Sequence, residues 1–334
     1  MSELKQSELN SLKKSDQVNH FLIVKKCELR QTKSGKDYLS LELGDKSASL
    51  TANLWDDNDN IFSRLKSGDI IKVNGTIDEY QGNPQIKIAS LKIIPPSEGI
   101  SPQDFLPHSK RDINVMKDEF FNRLEKIENA YLKKLMKNIF NENNFEKFSS
   151  VPAGKQWHHA YIHGLIEHTL EIIKICDLMC DIHPEINRDL LISGAMMHDF
   201  GKVYELNFET SFDYTDKGKL VGHIVMSAML IEEEIKKIPS FPDDLKNALL
   251  HIVLSHQGKL EFASPVVPKT LEAITLYQAD ELSAKVNAYK NALSSDLKSD
   301  SKWTKYISLA STDLYNHGIG QNDSENEKNK TLFD

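Results

Sequence analysis

The hydrophobic period of this chain changes once, and that change confines it to two unlike folding units. Within residues 18–94, polar positions alternate with β-branched, aliphatic and aromatic ones, the period-2 pattern of half-buried strands. The segments VNHFLIVKKCEL, KDYLSLELGD, SASLTANLWD, DIIKVNGTIDEY and PQIKIASLKII are parted by the turn-rich SGKD, GDKS, DDNDN and YQGNP. After PPSEGISPQDFLPHS at 95–109, with its four Pro, the period becomes that of a helix. INVMKDEFFNRLEKIENAYLKKLMKNIF predicts a long amphipathic helical region broken near Asn129, with further helical segments at about 158–182, 187–200, 223–238, 243–256 and 268–293. The polar, Gly-containing stretch 204–222 predicts a loop or small hairpin. The expected organisation is a β-barrel over 18–95, a linker over 96–112, a helical domain over 113–316 and a disordered tail over 317–334.

Five short strands with a helix-capable connection after the third (DDNDNIFSRLKSGD) fit a Greek-key barrel of the oligonucleotide/oligosaccharide-binding (OB) type. An SH3-like barrel is the generic alternative. The chain carries a net charge of -8, which argues against holding nucleic acid by bulk positive charge. That charge is unevenly spread. Up to residue 95 there are 14 Lys+Arg against 13 Asp+Glu, so the acidity lies in the remainder. Lys25, Lys26, Arg30, Lys33, Lys36, Lys72, Lys87 and Lys92 lie on or beside the strands, with Tyr38, Trp55 and Tyr80 among them. Rings that stack bases within a basic groove are how OB-folds hold single strands. Lys36, Tyr38, Trp55, Tyr80 and Lys87 are therefore the candidate nucleic-acid contacts, against the alternative that the rings fill the barrel core.

No apolar run reaches the ~18 residues of a membrane helix, and the polar first 20 residues lack the apolar core of a signal peptide. Cys27, Cys176 and Cys180 are too few for a disulfide framework and favour a reducing cytoplasm. Histidine is the outlier: of 12 His, nine fall between residues 158 and 256. HGLIEHTLEI supplies His163 and His168, GAMMHDFGK supplies His198, Asp199 and Lys202, and LVGHIVMSAML supplies His223. ALLHIVLSHQGK supplies His251 and His256, and LYQADELSAKV supplies Asp280. Spacings of this size let successive helices of a bundle aim one ligand each at a common interior point. Imidazole with carboxylate suits Mn, Fe, Co, Ni or Zn, and no thiolate set stands nearby. The adjacent His198-Asp199 pair adds a carboxylate able to bridge two ions.

His168, then His198-Asp199, then Asp280 resemble the H…HD…D signature of the HD-domain metal-dependent phosphohydrolases. His223 and VLSHQGK resemble the two-metal branch of that superfamily. An OB-type barrel followed by such a domain, ending in SPVVPKTLEAITLYQADELSAKV, is similar to the YhaM-type 3′→5′ exoribonucleases over about residues 18–312. The fold this implies is a multidomain α and β chain, an OB barrel followed by an all-α HD bundle. The resemblance implies a first ion held by His168, His198, Asp199 and Asp280. Asp199 would bridge to a second ion at His223 and His256, with His251 a further candidate. It implies catalytic roles for His198, Asp199 and Lys202, Lys202 facing phosphate, and two divalent ions with Mn²⁺ foremost. The partner implied is single-stranded RNA, with single-stranded DNA and a homo-oligomer left open, no membrane, and release of nucleoside 5′-monophosphates. His158, His159 and His163 begin the segment of His168 and would support ligands or touch the strand. The sequence departs from the pattern at His256-Gln257, where many two-metal members have His-His. A small nucleotide or cyclic dinucleotide is the alternative substrate, and a non-catalytic single-strand-binding factor the alternative class.

Overall fold

The alternating N-terminal sequence forms β1 (Gln17–Gln31), β2 (Asp37–Gly44), β3 (Ser49–Leu54), β4 (Ile70–Tyr80) and β5 (Asn83–Ile93). The computed structural model describes residues 6–32, 34–55, 61–80, 83–155, 157–207, 212–295 and 301–319. The strands close into a barrel in the order β1-β2-β3-β5-β4. β1 is long enough to serve both halves, pairing with β4 through Gln17–Ile23 and with β2 beyond, across a register shift between Val24 and Lys26. A parallel pairing of β3 with β5, Asn53 opposite Lys87, completes the closure, which leaves no open sheet edge. This is the OB topology, and the SH3-like alternative falls away. Leu22, Val24, Leu41, Ile71, Val73 and Ile86 fill the interior. β4 approaches β5 so closely at Gly75 that a Cβ there would stand 2.3 Å from the Lys87 carbonyl oxygen. Leu9, ahead of the first strand, is buried in the same core, and its backbone N–H donates to Asp45 Oδ2 at 2.7 Å.

The Pro-rich stretch expected as a linker is fastened in part. Its turns Pro96–Glu98 and Pro102–Phe105 are 3-10, and Ser101 and Asp104 form a reciprocal capping box. Phe105 is buried with Ile23, Ile70 and Ile94, a docking invisible to composition because Pro and Ser report chain breaking, not what one Phe covers. The described residues group into two units, one up to residue 107 with those from 292 on, the other from 108 to 291. The end of the expected 113–316 helical domain thus groups with the barrel. Of the helix-capable connection at 56–69, Ile61 and Phe62 are helical, while residues 56–60, Lys33 and tail residues 320–334 lie outside the described residues.

The second unit contains α1 (Ile113–Glu125), α2 (Ala130–Ile139), α3 (Glu142–Ser150), α4 (Gly164–Ile182), α5 (Arg188–Met197) and α6 (Lys202–Glu205). A two-residue hairpin, β6 (Leu206–Asn207) with β7 (Asp213–Tyr214), precedes α7 (Asp216–Val221), α8 (His223–Ile235) and α9 (Asp243–Ser255), and α10 (Leu271–Ser295) runs into the other unit. Side-chain caps set the boundaries: Asp112, Asn129, Asn141 and Asn187 each accept a backbone N–H of the following turn. Asn129 is the expected break between α1 and α2. Two features differ from the sequence reading. α3 is an added helix, short and polar but for Phe145 and Phe148. Residues 158–163 are not the start of α4 but a loop before it: His163 sits at φ 66°, and a Cβ on Gly164 would lie 2.0 Å from the His159 carbonyl oxygen. The 204–222 hairpin is present, with α7 in addition.

The core is aromatic beside the site. Phe120 packs against Phe140, Phe145 and Phe148 at ring separations of 4.8, 5.3 and 5.6 Å. Phe200 stacks on Phe148 at 5.9 Å, so the residue after Asp199 is anchored in the main cluster. Phe120→Ala should cost about 3–5 kcal/mol, read as a lower urea midpoint in helical circular dichroism; an unchanged midpoint would contradict this packing.

Candidate metal centre

Helix ends build the site. His168 projects from α4 and Asp280 from α10, while His198 and His256 cap the C-termini of α5 and α9. His223 opens α8, and Asp199 lies in the turn into α6. Gly201 permits that turn, since a Cβ there would stand 2.1 Å from the His223 carbonyl oxygen. Three candidate ligand groups result, His168 with His198 and Asp280, Asp199 with His223 and His256, and His168 with His158 and His159, the candidate atoms in each lying within 4.8 Å of one another. His168 Nε2 is 2.9 Å from Asp280 Oδ1. The two oxygens of Asp199 divide: Oδ2 is 3.3 Å from His198 Nε2, and Oδ1 is 3.3 Å from His223 Nε2 and 3.5 Å from His256 Nε2.

Hydrogen bonds on the far side of each ring decide what these atoms are. Nδ1 of His198 and of His256 meet the carbonyl oxygens of Ala195 and Val253 at 2.8 and 2.6 Å. A carbonyl only accepts, so Nδ1 carries the proton and a neutral ring presents its Nε2 lone pair inward. His223 is held likewise by Glu205 Oε1, 2.9 Å from Nδ1. His198 Nε2, His223 Nε2 and Asp199 Oδ1 are buried without a hydrogen-bond partner. Lone pairs facing a carboxylate in a dry pocket repel unless a cation stands between them. Two donors each about 2.1 Å from one ion stand roughly 3.0–3.4 Å apart between right-angle and tetrahedral geometry, close to the spacings observed. The residues fit a divalent metal.

Burial disfavours the charged Asp199 carboxylate, yet the Lys202 ammonium holds its pKa well below the ordinary value. Lys202 is itself buried, its Nζ 2.6 Å from Asp199 Oδ2 and donating to the Ala153 carbonyl at 2.5 Å. It is an internal partner of the carboxylate, not a solvated helix-end cation.

The other histidines separate. His251 is not brought to the centre: its Nε2 accepts the Lys269 backbone N–H at 2.9 Å. Five residues from His256 is about 140° around a helix, so the two rings leave α9 in different directions. Gln257 stays close, its amide nitrogen 3.3 Å from His256 Nε2. His163 turns away to the Ser149 carbonyl, whereas the rings of His158 and His159 stand 4.7 and 5.0 Å from His168. Glu205 was missed by sequence reasoning, since a Glu beside a polar loop reads as surface. Here it is buried and accepts both the backbone N–H and the ring of His223.

On the barrel, Tyr38 and Trp55 stack at 4.7 Å with planes 24° apart. Neither they nor Tyr80 belongs to the core cluster. Trp55 and Lys87 line one groove with Asn53, Asp78, Gln85 and Ile86, about 220 Å³ in volume. Tyr80 stands apart from it at the end of β4, 63% exposed, and Lys36 lies in the β1–β2 turn. Lys26 and Arg30 are both paired with Glu28, which leaves less free positive charge than the sequence count implies.

Fold and site together define an OB barrel joined to an HD-domain metal centre. Residues 23–94 match the family model of the OB-fold nucleic acid binding domain, and residues 165–285 match that of the HD domain. The chain is 33% identical to a 3′-5′ exoribonuclease YhaM of Listeria welshimeri over 83% of this chain and 88% of that one. It is 31% identical to the Bacillus subtilis protein of that name over the same shares. The chain belongs to the YhaM family of 3′-5′ exoribonucleases. Among solved structures it is similar to the second OB-fold domain of replication protein A from Methanococcus maripaludis, at 24% identity, TM-score 0.19, covering 24% of this chain and 83% of that one.

Lys202→Met leaves Asp199 an unpaired buried anion and should cost about 3–5 kcal/mol in chelator-treated protein. Mn²⁺ would supply the missing positive charge and should raise the melting temperature of the variant by more than that of the parent. Equal shifts would show that Lys202 does not neutralise Asp199.

Proposed function

We propose that this chain is a metal-dependent 3′→5′ exoribonuclease that shortens single-stranded RNA and releases nucleoside 5′-monophosphates. The observation that carries the reading is the division of Asp199, one oxygen toward His198 and the other toward His223 and His256. That arrangement suits two ions sharing one carboxylate, with His168, His198 and Asp280 on one side. Divalent ions held there, Mn²⁺ foremost, would polarise the scissile phosphoryl group and lower the pKa of an attacking water. The protein's own contribution is to keep the ligands rigid, buried and deprotonated toward the centre. Lys202 holds Asp199 in place, and its proximity lets it offset negative charge that grows during phosphoryl transfer.

The barrel supplies the grip. The stacked Tyr38 and Trp55 give a π-face that tolerates any base, and Lys87 beside them offers phosphate a cation. The cytoplasm suits free Cys27, Cys176 and Cys180. No helix among the described residues is long and apolar enough to cross a membrane.

With Mn²⁺, 5′-labelled single-stranded RNA should shorten progressively from its 3′ end and body-labelled RNA should yield 5′-monophosphates on chromatography. Chelator or Asp199→Ala should abolish both, and RNA left intact by the Mn²⁺-loaded parent protein would refute the reading. Trp55→Ala should weaken binding of single-stranded RNA in chelator by about 1–3 kcal/mol, measured by fluorescence anisotropy. Unchanged affinity would remove Trp55 from the interface.

A further inference from the structure

Behind His168 lies a chain of polar groups that the ligand set does not include. His168 Nδ1 is 3.0 Å from Ser283 Oγ, and Ser283 Oγ donates to Glu171 Oε2 at 2.7 Å. His159 Nε2 stands 3.2 Å from that same carboxylate oxygen. His168 and His159 are fully buried and Ser283 is 4% exposed.

The direction of these contacts is fixed by proton count. Ser283 has one hydroxyl proton, and it goes to Glu171. Toward His168 the hydroxyl therefore only accepts, so the imidazole must donate from Nδ1. The opposite nitrogen, Nε2, is then left as a lone pair 2.9 Å from Asp280 Oδ1. Without the carboxylate, the serine could rotate and donate to Nδ1, which would place the proton on Nε2 and close the ligand. α4 supplies Glu171 one turn beyond His168 near its own face (i, i+3), and α10 supplies Ser283 one turn beyond Asp280 (i, i+3). Each ligand helix thus carries its own support. His159, brought in by the loop before α4 and pinned by its backbone N–H to Asn287 Oδ1 at 2.8 Å, lies beside Glu171 with its Nε2 lacking a hydrogen-bond partner.

We infer that Ser283 and Glu171 are positioning residues that hold His168 in its metal-binding tautomer and so set the affinity of the ion at His168. This rests on the metal-dependent reading above and deepens it. Neither is required to touch the ion or the RNA.

The test is calorimetric titration of Mn²⁺ into chelator-treated full-length protein. Ser283→Ala should weaken the ion at His168 by 10–100-fold, the usual effect of removing an outer partner of a ligating histidine. An ion bound at His223 and His256 should keep its affinity, and Ser283→Thr, which keeps the hydroxyl, should restore the lost binding. Glu171→Ala should act in the same direction as Ser283→Ala. Unchanged Mn²⁺ affinity in Ser283→Ala overturns the inference while leaving the metal reading intact. So does a loss at both ions accompanied by a lower melting temperature in chelator, since that is general loss of packing. A parent protein that binds no Mn²⁺ overturns both.

Discussion

The buried ion pair between Asp199 and Lys202 is the interaction on which the helical unit depends. A carboxylate 2% exposed is tolerable only with compensating charge, and Lys202, three residues later across the α5–α6 turn, supplies it at 2.6 Å. The turn exists because Gly201 lets the His223 backbone come close. Phe200 locks it to the aromatic cluster through Phe148. One short sequence, HDFGK, therefore places a candidate ligand, a candidate bridge, an anchor, a close approach and a counter-charge in consecutive positions.

That pair neutralises one charge and leaves the rest of the centre in deficit. Asp280 is a second buried carboxylate, and the imidazoles around it are committed as donors on their outer sides. The fold thus stores an arrangement of inward lone pairs that only a cation satisfies. Holding it costs folding free energy, and the wide aromatic and aliphatic core beside the site is what offsets that cost. Binding of metal and stability of the unit are linked for this reason.

Much of this is legible in the sequence, and for identifiable reasons. The five strands are readable because closure of a small barrel demands strict alternation, with Leu39, Leu41 and Leu43 inward on β2. The Asn129 break is readable because its side chain both ends one helix and caps the next. The candidate ligands stand out because His198, His223 and His256, at helix ends, and Asp280, within α10, recur at bundle spacing. Other features depend on where the chain goes in space. His251 has the same surroundings in sequence as His256, but it leaves α9 about 140° away and meets the Lys269 backbone instead of the centre. α3 depends on burying Phe145 and Phe148 against Phe120 from another helix. His158 and His159 look like the start of a helix until Gly164 is seen packed on the His159 carbonyl.

The net charge of -8 acquires a different sense once the two units are separate. A protein that captures RNA by long-range attraction would carry its positive charge in excess, and this barrel does not, since Lys26 and Arg30 are both tied to Glu28. On the proposed reading it would offer instead the stacked Tyr38–Trp55 pair, with Lys87 near Trp55, a short-range grip whose strength would depend on ring contact more than on field. Such a grip suits an enzyme that must let its strand advance after every cleavage. Stacking on an unspecific π-face gives similar energy at each register, so no base sequence becomes a trap. The acidic helical unit is compatible with an anionic strand because divalent cations invert the local charge where the carboxylates converge. On the proposed reading, selection for nucleic acid would be divided by physics as well as by topology: contact without strong attraction in the barrel, and attraction confined to the metal centre.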